Sequence, residues 1–223
     1  MSHKRSPLCV SALVALAAVV VLFPASHAQP PTGSSHYVTV SFAGHTVNGG
    51  FEGSRTLSTV KGFFSIPAVE AGSGIATAIG TRTGWVGLEA NYWQSSHNGR
   101  FGATSGRASK HALGIDGRFY VPDWGVVTPF ISGGVFWEWL SADNGYCSDL
   151  TGDRCTERFK GFGVSFGPGV NVHVMRSIFV VGRLVYRHTD YDAISSTSAD
   201  EGTLAYTIDG NGWTWSTGVG FEF

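Results

Sequence analysis

The chain has 223 residues, of which 14% are charged and 13% aromatic, with 31 glycines and a formal net charge of -1. That balance excludes a basic nucleic-acid surface and a like-charge tail, and the length suits one all-β domain better than two small ones. A mean hydropathy of +0.07 is high for a chain so rich in Gly, Ser and Thr, and it fits apolar surface that is not all hidden inside the fold.

The N-terminus, "MSHKRSPLCVSALVALAAVVVLFPASHAQPP", opens with Lys4 and Arg5, continues through an apolar core from Leu8 to Phe23, and offers Ser26-His27-Ala28 as a small-x-small cleavage site. This is the pattern of a secretory signal peptide over residues 1–28, leaving 29–223 as one exported domain. No later stretch approaches 18 uninterrupted apolar residues, so no transmembrane helix is expected. Two cysteines remain after cleavage, Cys147 and Cys155 in "NGYCSDLTGDRCTER". In an oxidising compartment they are expected to staple a polar loop. Two thiols with no histidine nearby make a poor zinc site, and neither a metal nor a cofactor is expected.

From here the chain alternates with a period of two, which marks strands with unlike faces. "YVTVSFAGHTV" sets Val38, Val40 and Phe42 on one side, and "GIATAIGT" turns through Arg82-Thr83-Gly84 into "WVGLEANYW", where Val86, Leu88 and Tyr92 oppose Gly87, Glu89 and Asn91. "HALGIDGRFYV" opposes Leu113, Ile115 and Phe119 to Gly114, Asp116 and Arg118. "VVTPFISGGVFWEW" opposes Ile131, Val135, Trp137 and Trp139 to Ser132, Gly134 and Glu138. "KGFGVSFGPGVNVHV" opposes Phe162, Val164 and Phe166 to Gly163, Ser165 and His173, and "IFVVGRLVYRHTDY" opposes Leu184 and Tyr186 to Arg183 and Arg187. The last, "GNGWTWSTGVGFEF", opposes Trp213, Trp215, Val219, Phe221 and Phe223 to Gly218, Gly220 and Glu222.

Eight strands are therefore expected. Tight turns fall at 82–84, 122–125 and 175–177, and long polar loops at about 48–72, 96–109, 141–158 and 191–202. Short and long connections alternate, so a meander places all turns at one end and all loops at the other. The stretch "TVKGFFSI" reads either as an extra strand or as an upward extension of a hairpin.

Two architectures suit such strands: a soluble barrel with its bulky face inside, and a membrane barrel with that face against lipid. An eight-stranded barrel is only just wide enough for side chains to fill its interior, and several Trp and Phe per strand overfill it. The bulky side is therefore expected to face out. The fold class expected is an all-β, eight-stranded, antiparallel up-and-down transmembrane barrel. Trp85, Trp124, Trp137, Trp139, Trp213 and Trp215, with Phe221 and Phe223, fall near strand ends, where aromatic girdles of such barrels lie.

By the same parity Glu89, Asp116, Arg118, Glu138, His173, Arg183, Arg187 and Glu222 point inward. Four acids facing three arginines suggest one network of paired charges, either structural or the lining of a narrow pore. Phe130, Phe136, Phe179 and Val181 also count as inward, and a bulge or register error in the fifth and seventh strands is expected to remove that conflict. His188 and Asp190 in "YRHTDY" raise an enzymatic alternative, since outer-membrane lipid A deacylases use a His-Ser-acid set. Here the residue two after His188 is Asp190 rather than Ser, so no catalytic residue is assigned.

The segments "GLEANYWQSS", "LGIDGRFYVP", "TPFISGGVFW", "GFGVSFGPGVNVHV" and "VYRHTDY", with the closing "GVGFEF", resemble the outer-membrane β-barrel domain of the OmpA and opacity-protein type. The resemblance runs from about Ser73 to Phe223, and more loosely from Tyr37. It implies an eight-stranded barrel integral to a Gram-negative outer membrane, with lipid and lipopolysaccharide as surroundings. It also implies an assembly signal at Phe221 and Phe223, read by the barrel-assembly machinery. Such barrels serve as adhesins, surface proteins and narrow pores, so an extracellular ligand on the long loops is the leading expectation and a pore the second. A monomer is expected, and no periplasmic wall-binding domain is expected after the last strand.

Overall fold

The computed structural model describes residues 33–53, 55–59, 62–101, 104–121, 125–144, 155–196 and 199–223. The signal-peptide region 1–28, Trp124 and the Cys147–Cys155 staple lie outside the described residues and side chains. In chain order the described strands begin with β1 (Ser34–His45) and four short ones, β2 (Asn48–Gly49), β3 (Arg55–Thr59), β4 (Gly62–Ile66) and β5 (Ala68–Val69). Seven long strands follow: β6 (Gly72–Thr83), β7 (Val86–Phe101), β8 (Thr104–Tyr120), β9 (Val127–Asn144), β10 (Cys155–Met175), β11 (Ile178–Ser196) and β12 (Ala199–Glu222). β1 and β6 to β12 each pair antiparallel with the next, and β1 pairs with β12 from His45↔Thr214 to Tyr37↔Glu222, which closes the ring. The fold is the eight-stranded up-and-down barrel.

The stagger of the ring follows from its ladders. From Gly212 the cross-strand partners run Arg187, Ser165, Gly134, Asp116, Glu89, Gly80 and Tyr37, and return to β12 at Glu222, ten residues further along. Eight strands with that stagger are tilted by about 40° and leave room for little more than side chains inside. Outward, Val40, Ile75, Leu88, Leu113, Ile115, Val164, Phe166 and Val219 are exposed. The outward apolar run from Trp213 to Phe221 spans about 20 Å along the barrel axis at that tilt, near the height of a hydrocarbon band.

Two expectations change. First, Phe130, Phe136, Phe179 and Val181 are inside, each no more than 3% exposed, and no register slip puts them there. β9 pairs with β8 and β10 without a break, and β11 is regular against β12 at these residues; the shift beside Phe179 lies in β10, between His173 and Met175, and leaves the parity of β11 unchanged. Glycines make the room. Phe130 lies opposite Gly169, Phe136 opposite Gly163, Phe179 opposite Gly220 and Tyr37 opposite Gly80. A Cβ on any of these glycines would fall 2.1–2.4 Å from the facing ring. The interior thus accepts large rings because each lies across a neighbour that has no side chain.

Second, much of the expected loop length is strand. β7 and β8 run to Phe101 and from Thr104, and β11 and β12 run to Ser196 and from Ala199. The apolar alternation fades there because the outer face has left the hydrocarbon, while the ladder continues through pairs such as Ser96↔Ser109 and Asn98↔Arg107. The longest excursion, between β1 and β6, carries the four short strands. β2 extends the wall against β12 and β5 extends it against β7. Within "TVKGFFSI", Gly62–Ile66 is an extra strand, β4, which pairs with β3 in a separate two-stranded sheet and not with the barrel.

The glycine–ring pairing is testable. Gly220→Leu is expected to lower the unfolding free energy by about 1–3 kcal/mol, the usual range for overpacking, in urea titrations of the barrel refolded in detergent. Gly117→Leu faces outward, where a Cβ meets nothing closer than 3.7 Å, and should leave the midpoint unchanged.

Candidate functional site: the charged lumen

From the turn end upward, the inward side chains of β9 are Thr128, Phe130, Ser132, Phe136, Glu138, Leu140 and Ala142, all buried. They mark successive levels of the lumen. Lowest is an apolar plug in which Phe130 joins Tyr37, Tyr120, Phe179 and Val181. Beneath it, at the turn rim, His173 Nε2 lies 3.3 Å from Glu222 Oε2.

At the level of Ser132 the first ion-pair group forms. Glu89 accepts from Arg118 through Oε2 and from Arg183 Nη1 through Oε1 at 2.9 Å. Arg183 Nη2 also donates to Asp116 Oδ2 at 2.7 Å and to Ser132 Oγ at 3.1 Å. The remaining lone pairs of the acids are met by neutral donors. Tyr37 donates to Glu89 at 3.2 Å, while Asn91 and Ser165 donate to Asp116 at 3.0 and 3.1 Å. Arg118 also lies over the Phe130 ring, 4.5 Å from its centroid, so the lower plug and the charges above it share a surface.

One level up, the Arg187 guanidinium is held between the rings of Phe136 and Trp93, at 3.6 and 4.0 Å from their centroids. Above it Glu138 gathers the second group: Lys110 Nζ at 2.8 Å, the Tyr191 hydroxyl, and Thr189 Oγ1 at 3.3 Å. Lys110 also donates to His45 Nε2 at 2.7 Å, so the proton of that ring sits on Nδ1 and goes to Thr214 Oγ1 at 2.6 Å. His97 bridges Ser95 Oγ and the Glu70 carbonyl, both at 2.8 Å. Highest is a second apolar plug of eleven buried residues, among them Phe51, Ile66, Leu140, Phe159 and Ile208. Outside the barrel wall Arg100, with Asn98, holds the exposed Glu70 carboxyl below the usual carboxylate range.

The eight side chains expected to form one network are all in the lumen but fall into three groups. Glu89, Asp116, Arg118 and Arg183 are together; Glu138 and Arg187 belong to the next; His173 and Glu222 stand apart at the rim. Lys110, His45 and Tyr191 complete the second group and were not expected. Each continues its strand's inward parity beyond the point where the outer face stops being apolar. His188 faces outward and meets Asn211 and Asp190, the latter at 3.4 Å. Trp85, Trp137 and Trp213 are exposed on the outer face, and Trp139 and Trp215 half-exposed there. Phe221 and Phe223 are exposed and stacked at 6.3 Å. No group of metal-ligating side chains forms among the described residues.

The family model for the outer membrane protein beta-barrel domain matches residues 14–223. The chain belongs to that family. It is an integral protein of the outer membrane. Among curated proteins no relative matches it. Among solved structures it is similar to the Neisserial surface protein A (NspA), at 16% identity and TM-score 0.54 over 86% of this chain and 99% of that one. It is also similar to the outer membrane protein OprG from Pseudomonas aeruginosa, at 11% identity and TM-score 0.53 over 86% and 97%. A major outer membrane protein from Thermus thermophilus gives 11% identity and TM-score 0.54 over 85% and 99%. At such identities the likeness concerns the fold.

Glu89 is the acid on which two guanidiniums converge. Glu89→Gln leaves them short of a counter-charge inside the barrel and is expected to cost about 3–5 kcal/mol of stability, read from the urea midpoint. Asp190→Asn, on the exposed outer face, should change it by less than about 0.5 kcal/mol.

Proposed function

We propose that this outer-membrane barrel is a closed scaffold whose outward end does the recognising, and that it does not conduct. The observation that carries this reading is the double plug. Tyr37, Tyr120, Phe130, Phe179 and Val181 fill the lumen below the charges, and the cluster around Phe51, Phe159 and Tyr191 fills it above. Between them the carboxylates are bound to guanidinium, ammonium and hydroxyl groups of the same chain rather than turned to a water column. What remains for a partner is the loop end, where strands run beyond the apolar band and carry the loops on a stiff base. Loops on a rigid scaffold commonly hold binding function, and in such barrels the longer loops are extracellular. A disulfide between Cys147 and Cys155 would preorganise one of these connections. The similar Neisserial protein is named a surface protein, in keeping with this role.

Export by cleavage after Ala28 and assembly through the terminal aromatic pair, Phe221 and Phe223, complete the reading, with lipid and lipopolysaccharide around the band. The closed ladder leaves no barrel strand edge for pairing with another copy, which supports a monomer. The chain is read as non-enzymatic, because His188 meets an amide and a carboxylate rather than a nucleophile.

Planar-bilayer recordings of the purified protein test the proposal. The wild type is expected to show no steady conductance, and Phe130→Ala combined with Phe51→Ala to show openings. Steady wild-type openings that vanish in Arg183→Gln would establish the pore instead. Lipid A mass spectra from cells carrying wild type or His188→Ala should be identical; a difference would restore the enzymatic reading.

A further inference from the structure

Between the two plugs lies a cavity of about 50 Å³, large enough for more than one water-sized body. One side of it is the small-residue wall of β1, β6 and β12, including Thr39, Ser41, Ala76 and Ser216; the other presents Trp93, Arg118, Arg183 and Arg187, with Asp116, whose carboxylate is already bound by Arg183, Asn91 and Ser165. Trp93 and the three arginines carry donors only, and several of these donors have no partner. Trp93 Nε1, Arg118 Nε and Nη1, Arg183 Nε, and Arg187 Nε and Nη2 are buried without a hydrogen-bond partner. All six are N–H donors. The acceptors in the same condition, such as Glu138 Oε2 and Asn171 Oδ1, belong to residues that do not line the cavity. Trp93, Arg118 and Arg187 are only 3%, 2% and 7% exposed, so bulk water does not satisfy them.

The charges lean the same way. Glu89 and Asp116 are engaged by Arg118 and Arg183. Glu138 is bound by Lys110 at 2.8 Å and approaches Arg187 only to 3.8 Å. Within these two groups Arg118, Arg183, Arg187 and Lys110 therefore face three carboxylates, one positive charge in surplus; the next buried carboxylate, Glu157, lies higher, opposite Ala142 at the upper plug. A surplus of donors and of positive charge calls for a ligand that only accepts and carries one negative charge. Water balances the hydrogen bonds but not the charge, and the volume is small for a polyatomic dianion.

We propose that the cavity binds one small monovalent anion of halide size, held by Arg187 and Arg183 with the Trp93 indole N–H, as an internal counter-ion of the folded barrel. It is distinct from the outward recognition surface and does not depend on it. The ion enters as the barrel closes, because both plugs lie across the axial paths.

The test is refolding of the full mature chain from urea into detergent at fixed ionic strength, in sodium chloride, bromide or gluconate. Linkage predicts that, above the dissociation constant, each tenfold rise in halide raises the folded-to-unfolded ratio about tenfold relative to gluconate. Trp93→Phe should weaken that dependence and Arg187→Gln abolish it. Crystals grown in bromide should show one anomalous peak within hydrogen-bond range of Arg187. Coincident unfolding curves in halide and gluconate, or bromide-grown crystals with no such peak, would overturn the proposal even if Arg187→Gln failed to fold.

Discussion

The pairing of β1 with β12 is the interaction on which everything else in this molecule rests. It leaves no unpaired ladder between the strands, so the backbone polar groups are satisfied within the wall and the apolar outer face can lie in hydrocarbon. It also fixes the stagger at ten residues over eight strands, and with it the width of the interior. Each inward side chain must then fit a space barely wider than two opposing side chains. The alternation of large and absent inward side chains, Phe136 across from Gly163 and Phe179 across from Gly220, is the response to that limit.

The same narrowness explains why Glu89, Asp116 and Glu138 are each bound by several groups of the wall. A carboxylate inside a barrel of this width has no room for a hydration shell, so its stabilisation must come from the facing wall. Glu89 on β7 takes it from β8 and β11, and Asp116 on β8 from β7, β10 and β11. The contacts to β10 and β11 cross the lumen and tie together strands that are not ladder neighbours. They add a transverse constraint to a structure whose backbone bonds all run around its circumference. Rings over guanidiniums, as with Phe130 on Arg118 and Phe136 on Arg187, bring apolar and charged levels into direct contact.

A barrel stiffened in this way is a base for whatever its outward end presents. The polarity of the molecule reverses along its axis. Within the band the outer face is apolar and the middle of the lumen charged; beyond it, the outer face carries Arg107, Arg158 and Asp190 while the lumen holds Phe51, Leu140 and Phe159. The outward end is thus an ordinary water-soluble β-structure with a dry core, continuous with a membrane-embedded segment built the other way round. Continuity of the strands carries the rigidity of the embedded part into the solvent-exposed part.

The sequence by itself determined the faces. A period of two is set by backbone geometry, so Glu89, Asp116, Arg118 and Arg183 were legible as inward, and Val164, Leu184 and Phe221 as outward, wherever the strands lay. Lipid as the solvent of the bulky face followed from its volume and from the aromatic residues near strand ends. The tertiary structure decided what parity cannot reach. Which inward charges meet depends on stagger and tilt, which are properties of the closed ring, and so one expected network became three groups. That Phe130 and Phe179 fit inside depends on the glycine across the ladder, which is a cross-strand fact. The wall continues past the band because its hydrogen bonds do not require apolar side chains, and so Lys110, His45 and Tyr191 escaped a reading that followed hydrophobicity.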